Sequence, residues 1–240
     1  MHSFTDYDDG EFQFTDRSPQ RQSIRLEPFF NLFGPRQIIF AEGIGRSPML
    51  RIKYGCVALS QSFNDGRRQI IDVLGPGRII GIPLGPQNHY TAEALARTQL
   101  ETVASGPICA IEIDRELRTT LRRAQLHATL LGRKTAEERV ASAILDLAQH
   151  FTQPVKSKLQ RKTAFNLHLS RADLADWLGL SLETVSRHLN SFKRRKLISY
   201  KLPELVTITN EEALRALASG HGHQSSSAES SLGQLLMKTV

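Results

Sequence analysis

The chain has only two cysteines, Cys56 and Cys109, in 240 residues. That is too few for a four-thiolate iron-sulfur cluster and ordinary for reduced structural thiols in a cytosolic protein. Long apolar runs are missing as well: none approaches the roughly 18 residues needed to cross a bilayer, so no membrane segment is expected. The N-terminus, "MHSFTDYDDGEFQFTDRSPQR", is acidic and polar where a signal peptide is basic and then apolar, which predicts a cytoplasmic protein. The sequence shows no Walker A loop, no H-E-x-x-H, no G-x-S-x-G and no paired metal spacing, so an enzyme is not expected. His221 and His223 have no further ligand nearby and do not read as a metal site.

What is present is a globular composition, 40% hydrophobic and 7% aromatic, in a chain long enough for one large or two modest domains. The net charge is +7 and is unevenly spread. Between Lys156 and Lys201 eleven Lys/Arg stand against three acids, a local +8, while the remainder is close to neutral. Basic charge concentrated in one segment is the electrostatic footprint of a nucleic-acid-binding domain.

Residues 1–22 are acidic and lack periodicity, which predicts a disordered arm. From Arg36 to Ile113 seven short β-rich runs alternate with turn signals: "RQIIF", "MLRIKYGCVALSQ", "RQIIDVL", "RIIGI", "YTAEALA", "LETVA" and "ICAIEI". Such spacing predicts an antiparallel sandwich or barrel, with the Asp-Gly of "SFNDGRRQII" turning a tight hairpin. A β-roll over 23–113 is the expected first domain.

After Asp114 the period lengthens. Leu117, Leu121, Ala124, Ala128, Leu131 and Thr135 alternate at spacings of four and three, an a/d seam whose small central alanines suit a second helix. A dimerisation helix over 114–134, making a homodimer, is the expectation, with Leu126 and Leu130 off the seam and toward the roll. His89 and His127 read as surface histidines. "TAEERVASAILDLAQHF" opens with Thr135 as a candidate N-cap and presents Val140, Ile144, Leu147, Ala148 and Phe151 on one face. It begins a third unit, 135–217, and the Ser/Gly-rich tail from 218 to 240 is expected to be disordered.

Within that unit Ser170 is placed to cap "RADLADWLGL", Gly179 to supply a positive-φ turn, and Ser181 to cap "LETVSRHLNSFKRRK". Val185, Leu189 and Phe192 give the second helix an inner face, with Val185 crossing the small Ala175. Leu182, Glu183, Ser186, Arg187 and Asn190 are left outside. Arginine forks onto guanine O6 and N7, glutamate accepts from the amino group of cytosine or adenine, and serine bonds either a base or a phosphate. Glu183, Ser186 and Arg187 are therefore the candidate base readers, Glu183 and Arg187 being spaced to brace each other. Ser170, Arg171, Ser181, Thr184, Lys193, Arg194, Arg195 and Lys196 are the candidates for the phosphate backbone of double-stranded DNA. "KLISYKLPELVTIT" then supplies the hairpin of a winged helix. The fold class is α+β: an N-terminal antiparallel β-roll, a long helix and a C-terminal winged helix-turn-helix.

"LSRADLADWLGLSLETVSRHLNSFKRRKLI" resembles the DNA-binding domain of the Crp/Fnr superfamily of bacterial transcription regulators, and "LGRKTAEERVASAILDLAQHF" resembles the helices leading into it. The resemblance runs from about Pro35 to Ile208 with the roll, which is then of the cyclic-nucleotide-binding type. Glu183, Ser186 and Arg187 match the E-x-x-S-R pattern of Fnr and FixK proteins rather than the R-E-x-x-G-R of the cAMP receptor proteins. The resemblance implies TTGA-type palindromic half-sites, RNA polymerase as a partner, and an activator of low-oxygen or nitrogen-fixation genes. Ile82 and Tyr90 stand where nucleotide-binding members carry the glutamate and arginine of the cAMP site, and the N-terminus lacks the Fnr cysteines. It therefore implies no cofactor, which is the FixK-like condition. The alternative is a sensor or repressor holding an apolar molecule among Ile79, Ile80, Ile82 and Leu84. "ICAIEID" lies closer to the seam than is usual for the family.

Overall fold

The computed structural model describes residues 30–103, 107–152, 163–202 and 204–220. The arm over 1–22, the loop after Pro154, the histidine pair and the tail beyond Gly220 lie outside the described residues.

Eight strands come first: β1 (Phe30–Phe33), β2 (Ile38–Phe40), β3 (Leu50–Tyr54), β4 (Val57–Ser62), β5 (Arg68–Leu74), β6 (Ile79–Ile80), β7 (Thr91–Ala94) and β8 (Thr98–Thr102). They pair as two antiparallel sheets, β1-β8-β3-β6 and β2-β7-β4-β5. Alternate residues of both sheets, among them Leu50, Ile52, Val57, Leu59, Leu74 and Leu100, form the roll's core. The β4–β5 hairpin pairs Ser62 with Arg68 and turns at Gly66, whose φ of 83° is the left-handed value that Asp-Gly supplies. Gly55 is equally required, since at φ 100° a Cβ would stand 2.6 Å from the Arg97 carbonyl oxygen.

The last of the seven runs is not a strand. "ICAIEI" lies in helix α1 (Pro107–Arg133), which is 27 residues long. Alternating Ile, Ala and Glu satisfy a period of two and a helical period alike, and the helix beginning at a proline was the available signal. The short link before the seam disappears with this correction, because those residues are the helix's own first turns. The face α1 turns to its own chain carries Cys109, Glu116, Arg123, His127 and Leu130. Ion pairs hold it there: Arg78 reaches Glu116 at 2.6 Å, and Arg123 bridges Asp72 of β5 at 2.7 Å and Asp146 at 3.2 Å. His127 is half-buried rather than superficial, stacked on Trp177 with ring centres 6.2 Å apart. Leu130 packs on the core, whereas Leu126 is 62% exposed and does not face the roll.

The remaining elements are α2 (Ala136–Phe151), β9 (Ala164–Asn166), α3 (Arg171–Leu178), α4 (Leu182–Arg194), β10 (Ile198–Leu202), β11 (Leu205–Ile208) and α5 (Glu211–Ala218). Strands β10, β11 and β9 form a small antiparallel sheet in that order. Thr135 and Glu138 make a reciprocal capping box at the start of α2. Helix α5 ends at Ala218, one residue into the segment expected to be tail, and buries Leu214, Leu217 and Ala218 against the rest. One continuous core joins Cys56, Ala58, Ile70, Val73 and Leu95 of the roll to Val140, Ile144, Leu174, Trp177, Leu189 and Phe192. The sheet of β4 and β5 is thus covered on both faces, which explains the unbroken apolar run "CVAL". Both cysteines are buried and free, and burial pushes the Cys56 thiol far above its ordinary pKa.

Candidate nucleic-acid interface

Helix α3 starts at Ser170, whose hydroxyl accepts from the Asp173 N–H while the Asp173 carboxylate accepts from the Ser170 N–H, a full capping box. It stops at Gly179, left-handed at φ 61° and ψ 43°, where a side chain would be strained. Two residues later Ser181 caps α4 by accepting from the Thr184 N–H at 3.1 Å. Capping, a glycine turn and a second cap in so short a span produce the helix-turn-helix. Val185, Leu189 and Phe192 are fully buried and anchor α4. Burial of each contributes roughly 1.5 to 3 kcal/mol.

Anchoring that face fixes the opposite one. Leu182 (54% exposed), Glu183, Arg187 and Asn190 project to solvent, with Ser186 half-buried between them. Among the described residues no ion pair joins Glu183 to Arg187, so the expected brace is not made. An exposed pair gains at most about 1 kcal/mol while restraining two long side chains, which is why it need not form. Both heads remain available to base edges. Leu182 adds an apolar contact of the kind that fits a thymine methyl.

The backbone candidates divide. Lys193 and Arg194 are exposed in the last turn of α4 and Lys196 just past its end. Arg195, by contrast, is drawn onto Glu137 of α2. The hydroxyls of Ser170 and Ser181 are engaged in their caps, the latter also donating to the Thr184 hydroxyl at 2.9 Å. Arg171 is half-buried, its guanidinium 5.9 Å from the Tyr200 ring centre.

Sequence reasoning missed what faces the other way. Asp173, 1% exposed, takes Arg36 at 2.5 Å and Arg68 at 2.7 Å, and Asp176 takes Arg68 at 3.0 Å. Glu93 completes the cluster from β7. Burial opposes charge on Asp173, yet the hydrogen bonds from Arg36, Ser170 and Arg68 hold its carboxyl well below the usual range. Arg36 and Arg68 lie 137 and 105 residues from Asp173, so no local pattern marks them. The effect on the interface is direct: both acids of α3 are neutralised on the roll side, leaving the basic face of α4 with Glu183 as its acid.

Along α1 the seam residues Leu117, Leu121, Ala124 and Ala128 are exposed, at 38% and 61% for the two leucines, and Leu131 is half-buried. Thr135 falls beyond the end of α1 at Arg133 and caps α2, so it is not part of that stripe. A cap must leave helical φ/ψ, here −65° and 163°, which turns the residue off the seam.

In the roll, Tyr90 fills the place expected for a phosphate-binding arginine. Its hydroxyl accepts from the Gly81 N–H at 3.2 Å and its ring leans on Phe40 at 5.6 Å. The space left among Ser47, Gly81, Ile82 and Tyr90 is about 10 Å³, room for a single water. Arg46 at its edge is already bonded to the Gly85 carbonyl. Ile79 and Ile80 are buried in the fold and Leu84 is exposed, so the four apolar residues considered above do not enclose a chamber.

Residues 31–105 match the cyclic nucleotide-binding domain family, and residues 138–217 the Crp-like helix-turn-helix domain family. Over 189 residues the chain is 34% identical to the nitrogen fixation regulation protein FixK of Rhizobium meliloti, covering 77% of this chain and 85% of that one. It is 37% identical over 174 residues to FixK of Azorhizobium caulinodans, covering 69% of each. The solved structure of FixK2 from Bradyrhizobium japonicum superposes with a TM-score of 0.72 at 28% identity, over 80% of this chain and 98% of that one.

Proposed function

The chain belongs to the Crp/Fnr family of transcription regulators, and on that premise we propose that it is a cytoplasmic homodimeric activator whose paired α4 helices read a TTGA-type palindrome. The observation that carries the reading is the outward face of α4, where Glu183, Ser186 and Arg187 stand over a fully buried Val185, Leu189 and Phe192. Arg187 would fork onto the guanine and Glu183 accept from a base amino group, while Lys193, Arg194 and Lys196 would follow phosphates. Half-sites about one helical turn apart follow from the two-fold axis.

The apolar stripe of α1 supports the dimer. Ion pairs and Leu130 hold that helix to its own chain, so Leu117, Leu121, Ala124 and Ala128 are left for a second copy. RNA polymerase is the further partner, met through the roll's outer surface. Tyr90 and the closed space around it favour action without cyclic nucleotide, and no other cofactor is invoked. The names of the FixK relatives support nitrogen-fixation or low-oxygen genes as targets. Gel shifts on a TTGA palindrome and on a scrambled duplex at moderate salt test the proposal; equal affinity for the two would end it.

A further inference from the structure

One side chain joins the ends of α1 and α3 to the start of α2. Arg139, in the first turn of α2, donates from Nη2 to the Leu131 carbonyl at 2.6 Å, from Nε to the Lys134 carbonyl at 2.9 Å and from Nη1 to the Leu178 carbonyl at 3.1 Å. Leu131 is in the last turn of α1, Lys134 is in the link to α2, and Leu178 is the last residue of α3. The last four carbonyls of a helix find no donor inside it, and a cation there also meets the negative end of the helix dipole. In a continuing helix the Leu131 carbonyl would take the N–H of residue 135, but Thr135 gives that N–H to the Glu138 carboxylate in the α2 cap. The cap thereby frees the carbonyl that Arg139 occupies. Among the described residues no carboxylate pairs with Arg139, so its hydrogen bonds go to main chain alone.

The helix-turn-helix bends at the same spot. Gly179, left-handed at φ 61°, follows Leu178 directly, and a Cβ there would stand 3.4 Å from Leu131 Cδ2 and 3.7 Å from Arg139 Nη1. Leu131 is also the last residue of the apolar seam on α1, so the turn lies against the end of the helix that faces a second copy. The far end of α4 is tied to the same turn of α2, through Arg195 and Glu137.

We propose that Arg139 is a positioning residue for operator reading. By holding the main chain of α1 and α3 together it fixes the angle between the seam helix and the helix-turn-helix, and so sets the separation and rotation of the two α4 helices in a dimer. The planar fork of a guanidinium reaches three carbonyls in different directions, which the point charge of an ammonium does not. This role rests on the dimeric reading of a palindrome proposed above and deepens it.

Fluorescence anisotropy with three duplexes tests it: the TTGA palindrome with half-sites one turn apart, the same half-sites moved one base pair further apart, and a single half-site. The added base pair rotates one half-site by about a tenth of a turn, so the parent is expected to favour the original spacing about tenfold. Arg139→Met should bind the single half-site as the parent does, bind the palindrome about tenfold more weakly, and bind the two spacings nearly alike. Loss of folded protein lowers binding to all three duplexes together and does not relax a spacing preference, and sedimentation velocity checks that the variant is still a dimer. Arg139→Lys, which keeps the charge without the fork, should fall between the two, and it decides the matter if Arg139→Met does not fold. Variants that keep the parent's spacing preference overturn the proposal, and so does a parent indifferent to the added base pair. A parent that fails to tell the half-site from a scrambled duplex instead overturns the reading by α4, a result separate from any effect at Arg139.

Discussion

Arg68 of the roll and Asp173 of the helix-turn-helix, 105 residues apart in sequence, meet across a 2.7 Å ion pair with the carboxylate almost wholly buried. Arg36 reaches the same carboxylate from a residue held at φ 66°, a left-handed conformation that is uncommon for a side chain other than glycine. Backbone strain kept at such a point indicates that the surroundings dictate it. The pair fixes the first helix of the DNA-binding unit to β5, and so fixes the direction in which α4 points.

Arg68→Ala removes one of the two guanidinium partners of a buried carboxylate and should cost about 3 kcal/mol, the lower end for breaking a buried pair because Arg36 remains. Urea unfolding measures it, and the double variant with Arg36→Ala should lose more than either change alone. An Arg68→Ala protein as stable as the parent would show that the pair carries no stabilisation.

The same carboxylate sets an acid limit. Its folded pKa is depressed, so its contribution is complete above the unfolded value of about 3.9 and is lost as pH falls below that toward the folded value. Unfolding free energies of the parent and of Asp173→Asn should therefore differ by a constant amount from pH 5 to 7, and the gap should shrink progressively as pH falls below about 4. A gap undiminished at pH 2 would assign the stability to something other than this ionisation.

Leu121 is 61% exposed and makes little of the fold's core, so Leu121→Glu should leave the secondary structure intact. Placing charges opposite each other across the seam should convert the dimer to monomer in sedimentation velocity. Operator affinity should fall with it, since two half-sites are then no longer bound by one particle.

On DNA the arginines separate by where they stand. Arg187→Ala should cost roughly 1 to 3 kcal/mol and relax discrimination at the guanine. Arg194→Ala should weaken every duplex alike and reduce the salt slope by about 1. Arg195→Ala should do less than Arg194→Ala, since Glu137 already holds that guanidinium. Fluorescence anisotropy on matched and mismatched sites over a range of salt distinguishes the three.

Tyr90 plugs the roll, and burial pushes its phenol pKa up. Millimolar cyclic AMP should not shift the parent's melting temperature. Tyr90→Ala should destabilise the roll by about 3 kcal/mol through the cavity it leaves. A cyclic AMP shift in the parent equal to that of an intact nucleotide-binding roll would contradict the role given to this ring.

The elements that sequence made legible are those specified by neighbours in the chain. Ser170, Gly179 and Ser181 act on residues within a turn of themselves, and the helix-turn-helix follows from them. Asp65-Gly66 did the same for the β4–β5 hairpin. "ICAIEI" was ambiguous because six residues hold both periods at once, and β1 in "FNLF" is too short to show either. The Arg36, Arg68, Glu93 and Asp173 cluster left no trace, because ion pairs made across a fold impose no spacing on the sequence. Arg195 illustrates the same limit within the interface: its type suited phosphate, but Glu137, nearly sixty residues earlier, had claimed it.

The face formed by Cys56, Ala58, Ile70 and Val73 has a bearing on how this regulator can be taken apart. It is the far side of a sheet whose near side closes the roll, and α2 and α3 wrap it together with Leu130 of α1. A DNA-binding half excised at the end of α1 would carry away that wrapping and expose Val140, Ile144 and Trp177 in turn. Chimaeras that swap readout heads between such regulators should therefore move the face of β4 and β5 together with the head as one transplantable piece.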